Sequence, residues 1–411
     1  APAQKVNISA ISQNDALINA SAIKDGSQVG RVFLDKNAVI DVAGLADIQL
    51  SAKNSLVTIP RLGLNELADS PLLRNSFLYG KSIVINGDIS GTRSDGVSWV
   101  GTPLANLSGY VQQVKRTVDL LLQNGGTISL AGNEVLSQES SLLNLDGGYS
   151  HYVGGYLPTT RLVTETGRVV DIANADPTVN YVGIAGQFVE DHQRWNSSQV
   201  YINTIVRGDK GIYVEDYIKG GNAGTLNLYG VTTTLLSGDV SAKAVSGRYQ
   251  VAGNQQAKGG TVNYGATTNA INAVLPSPTL IPVSTSFVLS NNIVTLNQLA
   301  ENFNQQSIIQ ASTKAISDTQ NLDHWTPVDV NKLEQAGVAN VNVVADTFGA
   351  NRLGGEIVVN EDVDFEVQHG GKINLSGSKI KVDGKLTSHS GAINLVSTGR
   401  TFIEGTTTMP D

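Results

Sequence analysis

Gly371-Lys372-Ile373-Asn374-Leu375 returns at Gly391-Ala392-Ile393-Asn394-Leu395, an offset of 391 − 371 = 20 residues. Three earlier phrases share the pattern: Gly126-Thr127-Ile128-Ser129-Leu130, Gly224-Thr225-Leu226-Asn227-Leu228 and Gly260-Thr261-Val262-Asn263-Tyr264. In each, a glycine precedes an apolar–polar–apolar alternation, the signature of a strand with one buried face. Repetition at about this period points to a solenoid of parallel strands. Alternation turns Ile373 and Leu375 inward and Asn374 outward. At one coil per ~20 residues and ~4.8 Å per coil, the chain would be a rod roughly 70–90 Å long.

Composition agrees. Of 411 residues, 6% are aromatic and 16% charged, with 43 glycines, which suits thin stacked layers more than a thick globular core. Cysteine is absent, so disulfides and cysteine metal sites are excluded. The net charge of −8 and the lack of a basic stripe argue against a nucleic-acid partner. No apolar run reaches the ~20 residues a membrane helix needs, so no membrane insertion is expected. The chain opens at Ala1, its one methionine is Met409, and Arg400 to Gly405 reads as the start of another repeat. These features suggest a piece of a longer protein.

The chain divides as follows: coils over 1–103, a helical insertion over 104–124, a coil over 125–146, an aromatic-rich insertion over 147–199, coils over 200–295, a helical insertion over 296–336, and coils over 337–411. Asp35-Lys36-Asn37 marks a turn, and Asn86-Gly87 and Asp383-Gly384 mark corners where positive φ is expected. Leu107, Tyr110, Val111, Val114, Val118, Leu121 and Leu122 fall at helical spacing, and helices are also expected over 296–316 and 328–336.

Four features bear on chemistry. Arg207-Gly208-Asp209 is an integrin-type tripeptide at a predicted turn, although Gly-Asp is also ordinary turn chemistry. Asp362, Asp364 and Glu366 alternate with Val363, Phe365 and Val367, giving an outward carboxylate row with Asn374 and Lys381 expected beside it. Such a row could serve Ca²⁺ or glycoside hydrolysis, but it reads first as a solvated face. His151, His192, His324, His369 and His389 show no metal-ligand spacing, and Ser150 and His151 would point apart in a strand. No metal or other cofactor is expected. Tyr149, Tyr152, Tyr156, Tyr181 and Trp195 belong to a stretch, 149–217, that holds nine of the 23 aromatic residues in 69 positions. Tyr149, Tyr152, Tyr156 and Trp195 are candidate ligand-binding residues for a glycan or protein. The competing reading is that these rings pack the insertion onto the rod.

Several stretches resemble the large exoproteins of the filamentous haemagglutinin family, which are exported by two-partner secretion. They are LDKNAVIDVAG at 34–44, ELADSPLLRN at 66–75, GTPL at 101–104, SGY at 108–110, GGTI at 125–128 and LDGG at 145–148. The most specific are TTRLVT at 159–164, GRVVDI at 167–172, GIAG at 183–186 and HQRW at 192–195, followed by LEQAG at 333–337 and the final repeats. The resemblance covers most of the chain. It implies a right-handed parallel β-helix, lying in the shaft of a long secreted or surface-bound adhesin, with an outer-membrane two-partner-secretion transporter as partner of the whole protein. The family includes adhesins, biofilm-matrix components and toxin-delivery proteins, and the resemblance does not choose between them; the expected role is non-enzymatic, in attachment to cells, surfaces or biofilm matrix. The alternatives are a polysaccharide-acting enzyme on the same fold and the shaft of a contact-dependent toxin-delivery protein.

Overall fold

The structure, a computed structural model, describes residues 4–10, 31–114, 117–192, 197–202, 211–265, 286–291, 325–345, 355–403 and 407–408. The chain is mostly β, 47% strand and 11% helix, and its largest sheet is parallel and curled into a half-barrel.

The five sequence phrases all lie in one register. Ile373 pairs with Ile393, Val341 with Ile373, Val262 with Val341, Leu226 with Val262 and Ile128 with Leu226. Two rungs that the phrases did not reveal complete the stack: Lys5–Ser9, with Val6 against Ile128, and Val338–Ala345. Residues two apart point the same way, so two apolar columns run up the inside, from Ile128 to Ile393 and from Leu130 to Leu375. Most of their members are fully buried. Each fully buried Ile or Leu contributes about 1.5–3 kcal/mol relative to exposure.

Between these columns, outward, stands a ladder of amides. Asn227 Nδ2 donates to Ser129 Oγ at 3.0 Å, Asn263 Nδ2 to Asn227 Oδ1 at 2.6 Å, and Asn342 Nδ2 to Asn263 Oδ1 at 2.5 Å. Asn374 continues onto Asn342, and Asn394 Nδ2 onto Asn374 Oδ1 at 2.6 Å. Every bond runs the same way, because each amide has its acceptor on one side and its donor on the other.

One turn can be followed through Val338–Ala345 on the first face, Glu356–Val359 on the second and Asp364–Val367 on the third. The next runs through Lys372–Val382, which bends across two faces, and Lys385–Ser388. Register shifts at Gly230/Thr233 and Gly377/Lys379 mark where long strands bend from first to second face. The third face is not one sheet. Val39–Asp41, Leu142–Asn144 and Asp239–Ser241 form one group, and Asp364–Val367, Lys385–Ser388 and Thr407–Thr408 another. The helix Val330–Gln335 lies between them, with Val330, Leu333 and Ala336 buried. Its N-cap Asp329 accepts from Lys332 N at 3.1 Å, and Gly337 closes it at φ +73°. This helix falls within the expected 328–336; the helix expected over 296–316 lies outside the described residues.

Several expectations need correction. A 20-residue coil holds only for the last step. Successive rungs starting at 5, 127, 225, 261, 340, 372 and 392 are separated by 122, 98, 36, 79, 32 and 20 residues. Among the described residues seven rungs make six steps, so their first face spans about 29 Å, well short of 70–90 Å. The corners Asn86-Gly87 and Asp383-Gly384 do not use positive φ, whereas Asn37 does at +64°. The glycine of each repeat phrase is there for close approach instead. A Cβ on Gly391 would lie 1.9 Å from Gly371 O, one on Gly371 would lie 2.1 Å from Ala339 O, and one on Gly224 would lie 2.0 Å from Gly126 O.

The segment 1–103 is not all coil. From about residue 56 the chain leaves the solenoid to form a lobe with its own core. Leu56–Ile59 pairs antiparallel with Ile83–Asn86, and Ser90–Thr92 with Ser98–Val100. Ile59, Leu67, Leu73, Ile85, Leu104 and Leu107 pack there against Leu162, Ile172, Tyr181 and Ile184 from 158–186. In the helical insertion 104–124, the helices are the short Ser108–Gln112 and Val118–Leu121. The spacing suggested one amphipathic helix, but Val114, Val118 and Leu121 are exposed and have no core to face. Within 200–295, Ile212–Val214 and Tyr217–Gly220 pair antiparallel with 155–157 and 149–152, so the first-face coil resumes only at Thr225.

Candidate binding groove

Arg207, Gly208, Asp209 and Trp195 lie outside the described residues. The three candidate tyrosines that are described do not form one surface. Tyr152 is only 5% exposed: its ring stacks on Tyr217 at 4.7 Å and 3°, and Tyr249 meets Tyr217 edge-on at 4.8 Å. As a ligand contact Tyr152 is therefore a correction. Its strand, Tyr149–Val153, is held between Ile48–Ser51 and Tyr217–Gly220, and this turns the ring into a small core with Ala52, Leu157 and Val214. Tyr181 belongs to the lobe core. Tyr156 is 47% exposed beside Tyr213, their rings edge-on at 5.3 Å, and Tyr149 is half-buried opposite Gly220.

The Tyr217 hydroxyl donates to Asp88 Oδ2 at 2.8 Å, and Lys219 pairs with the same carboxylate. Asp88 follows the Asn86-Gly87 corner of the lobe, so this contact bolts lobe to solenoid. Burial, then the Asp88 charge, pushes the Tyr217 hydroxyl far above the ordinary phenol value, so it stays a donor.

The acidic row is outward, with Val363, Phe365 and Val367 buried between its members. Its neighbours differ from expectation. Asp364 registers with Lys385, Nζ to Oδ1 3.0 Å, and Glu366 faces His389 Nε2 at 3.3 Å. Lys381 pairs with Asp383 on the second face instead, because the third face repeats at 385 − 364 = 21 residues. Among the described residues, no group of three or more His, Cys, Asp or Glu is placed to hold a metal.

One concavity was not anticipated. A groove of about 1290 Å³ runs along the first face, and half of its 20 lining residues are Asn or Gln. Its floor is the outward side of three rungs. Thr261, Asn340 and Lys372 stand in one register column, and Asn342 and Asn374 in the amide ladder. One wall is the loop after the helix Arg248–Ala252, which turns at Asn254 with φ +54°. Gln250 fastens that wall, accepting from Gly220 N at 2.8 Å and donating to Gly220 O at 2.9 Å. Asn222 Oδ1 accepts from Lys258 N at 2.8 Å, and Gln368 Oε1 accepts from Gly259 N at 3.1 Å, tying the loop to both sides.

The groove contains Lys258, Lys372 and His369 but no carboxylate, in a chain of net charge −8. Both lysines are exposed, and among the described residues neither ammonium is held in an ion pair. Chemically this is a surface of paired donors and acceptors carrying two lysines that have no ion-pair partner among the described residues. The sequence did contain a signal, the run Asn254-Gln255-Gln256, but its proximity to Asn342 and Asn374 depends on pairing across 79 positions.

No protein family, no curated protein and no solved structure matches the chain.

Proposed function

We propose that the chain is a segment of a secreted or surface-bound adhesin-type exoprotein of the filamentous haemagglutinin kind. In this reading the solenoid is a right-handed parallel β-helix, and the whole protein leaves the cell through an outer-membrane two-partner-secretion transporter. The segment is a stiff scaffold that presents its lobe and groove to a cell, surface or biofilm matrix. The observation that carries this is the in-register stack itself. Among the described residues seven rungs bury two apolar columns, and a one-way amide ladder ties the outer faces of six of them, an arrangement that resists shear along its axis. Handedness rests on the general rule that crossovers between parallel strands are right-handed in about 98% of cases. The resemblance in the repeats and in 159–195 supports the family and the export route.

The test is attachment. Purified, fluorescently labelled chain is titrated onto epithelial cells, extracellular matrix and biofilm polysaccharide. Saturable binding that unlabelled chain displaces is the expected result. Absence of saturable binding on all three would remove an attachment role from this segment, and reproducible release of reducing ends from polysaccharide would replace the reading with an enzymatic one.

A further inference from the structure

We infer that the first-face groove binds a linear polysaccharide carrying isolated carboxylates, a uronate-containing glycan, laid along the solenoid axis across the amide ladder. This names the ligand class for the attachment reading and rests on that reading for its biological role, though not for its chemistry.

The lining decides the class. A primary amide offers a donor and an acceptor in one plane, which matches a pair of neighbouring sugar hydroxyls. Asn340, Asn342 and Asn374 repeat this on the floor, and Gln255 and Gln256 are exposed on the wall. In the ladder each Nδ2 spends one hydrogen on the preceding amide and retains the other. The rungs advance by about 4.8 Å, close to the advance of one pyranose ring in an extended glycan. Successive sugars can therefore meet successive rungs in the same way.

Other occupants fit worse. A peptide would need a free strand edge or apolar pockets. The floor strands are paired on both sides, and the lining holds no Val, Leu, Ile, Phe, Tyr or Trp. A single-stranded nucleic acid would need stacking rings and a basic track. A metal ion would need several carboxylate, imidazole or thiolate ligands, and of these the lining offers only His369.

Charge refines the assignment. Lys372 on the floor and Lys258 on the wall are the two ammonium groups of the groove, and nothing acidic in its lining offsets them. Two isolated cations among ten amides suit a chain with a carboxylate on some of its sugars. A densely sulfated polymer calls for a continuous basic stripe.

The experiment is calorimetric titration of the whole chain with oligogalacturonides, their carboxyl-reduced counterparts, neutral cello-oligosaccharides and heparin-derived oligosaccharides. Binding of the oligogalacturonide, roughly tenfold tighter than the carboxyl-reduced form, is the expected result. Lys258→Gln with Lys372→Gln should abolish that preference while leaving the melting curve unchanged, and Gln255→Ala with Gln256→Ala should weaken both forms alike. No heat with oligogalacturonide, equal affinity for charged and reduced forms, tighter binding of heparin, or an unaffected lysine variant would each overturn the assignment. Attachment separates the two readings. If the lysine variant attaches to cells as the native chain does, the groove is not the adhesive site and the attachment reading stands. If the native chain binds oligogalacturonide but attaches to nothing, the attachment reading falls and the groove chemistry stands.

Discussion

Gly370 and Gly371 are adjacent and should respond to the same substitution for opposite reasons. Gly370 has φ +74° with nothing within 4 Å of an added Cβ. Gly370→Ala therefore meets only the backbone penalty of a left-handed residue, about 1–2 kcal/mol. Gly371 has no such φ, but its Cβ would sit 2.1 Å from Ala339 O and 2.7 Å from Gln368 O. Both obstacles are backbone, so no rotamer change relieves them, and the rungs must part by about 1 Å. Overpacking of this kind costs about 1–3 kcal/mol. The hydrogen bonds Ala392 N to Gly371 O, 3.1 Å, and Gly371 N to Gln368 O, 2.8 Å, are strained with it, at about 1 kcal/mol each. Gly371→Ala should thus cost about 3–5 kcal/mol. Hydrogen exchange read by mass spectrometry localises the effect. Amides of 372–377 and 392–397 should exchange roughly a hundred- to a few-thousand-fold faster in Gly371→Ala, and about 5- to 30-fold faster in Gly370→Ala. Equal effects, or a larger effect of Gly370→Ala, would refute the close-approach account of the repeat glycine.

Two further predictions concern other elements. Tyr217→Phe removes the donor to Asp88 Oδ2 but leaves Lys219 on the carboxylate, so the joint should weaken by about 1.5 kcal/mol; limited proteolysis of the lobe should speed up, and unchanged cleavage would disprove the bolt. Asp329 is half-buried, and desolvation outweighs the help of its hydrogen bonds to the Lys332 and Asn331 backbone and of the Lys332 charge, so its pKa lies above the ordinary 3.8. The folded chain therefore holds this proton more tightly than the unfolded chain. The associated stability is present below 3.8 and is lost as pH rises through the folded value. Asp329→Asn keeps an acceptor for the cap and cannot ionise, so its urea midpoint relative to the native chain should rise over that window; a pH-independent difference would contradict the assignment.

The rungs were legible because two local rules coincide in them: alternation about a central Asn, and a glycine where backbones nearly touch. Where one rule lapses the phrase disappears. Val341-Asn342-Val343 keeps the alternation, but Ala339 and a register shift stand in place of the glycine, and before Val6-Asn7-Ile8 the glycine's place is taken by Gln4. Coil length was not legible, since nothing in a rung states how far along the chain its neighbour lies. The tyrosines illustrate a different limit. Tyr152 and Tyr156 are four residues apart in similar glycine-rich surroundings, yet one is 5% and the other 47% exposed. The difference arises from Tyr217 and Tyr249, more than sixty residues away. The groove was hidden for the same reason: its floor and its wall belong to different turns.

The unequal turns have a consequence for how such a chain can change. One rung is reached after 20 residues and another after 122. The closure entropies of loops of these lengths differ by (3/2)RT ln(122/20), only about 1.6 kcal/mol. A rung does not register what was threaded between it and the one below. New segments, whole lobes included, can be spliced in at the turns while the stack keeps its register, and the same tolerance makes these turns the natural places to graft a foreign module.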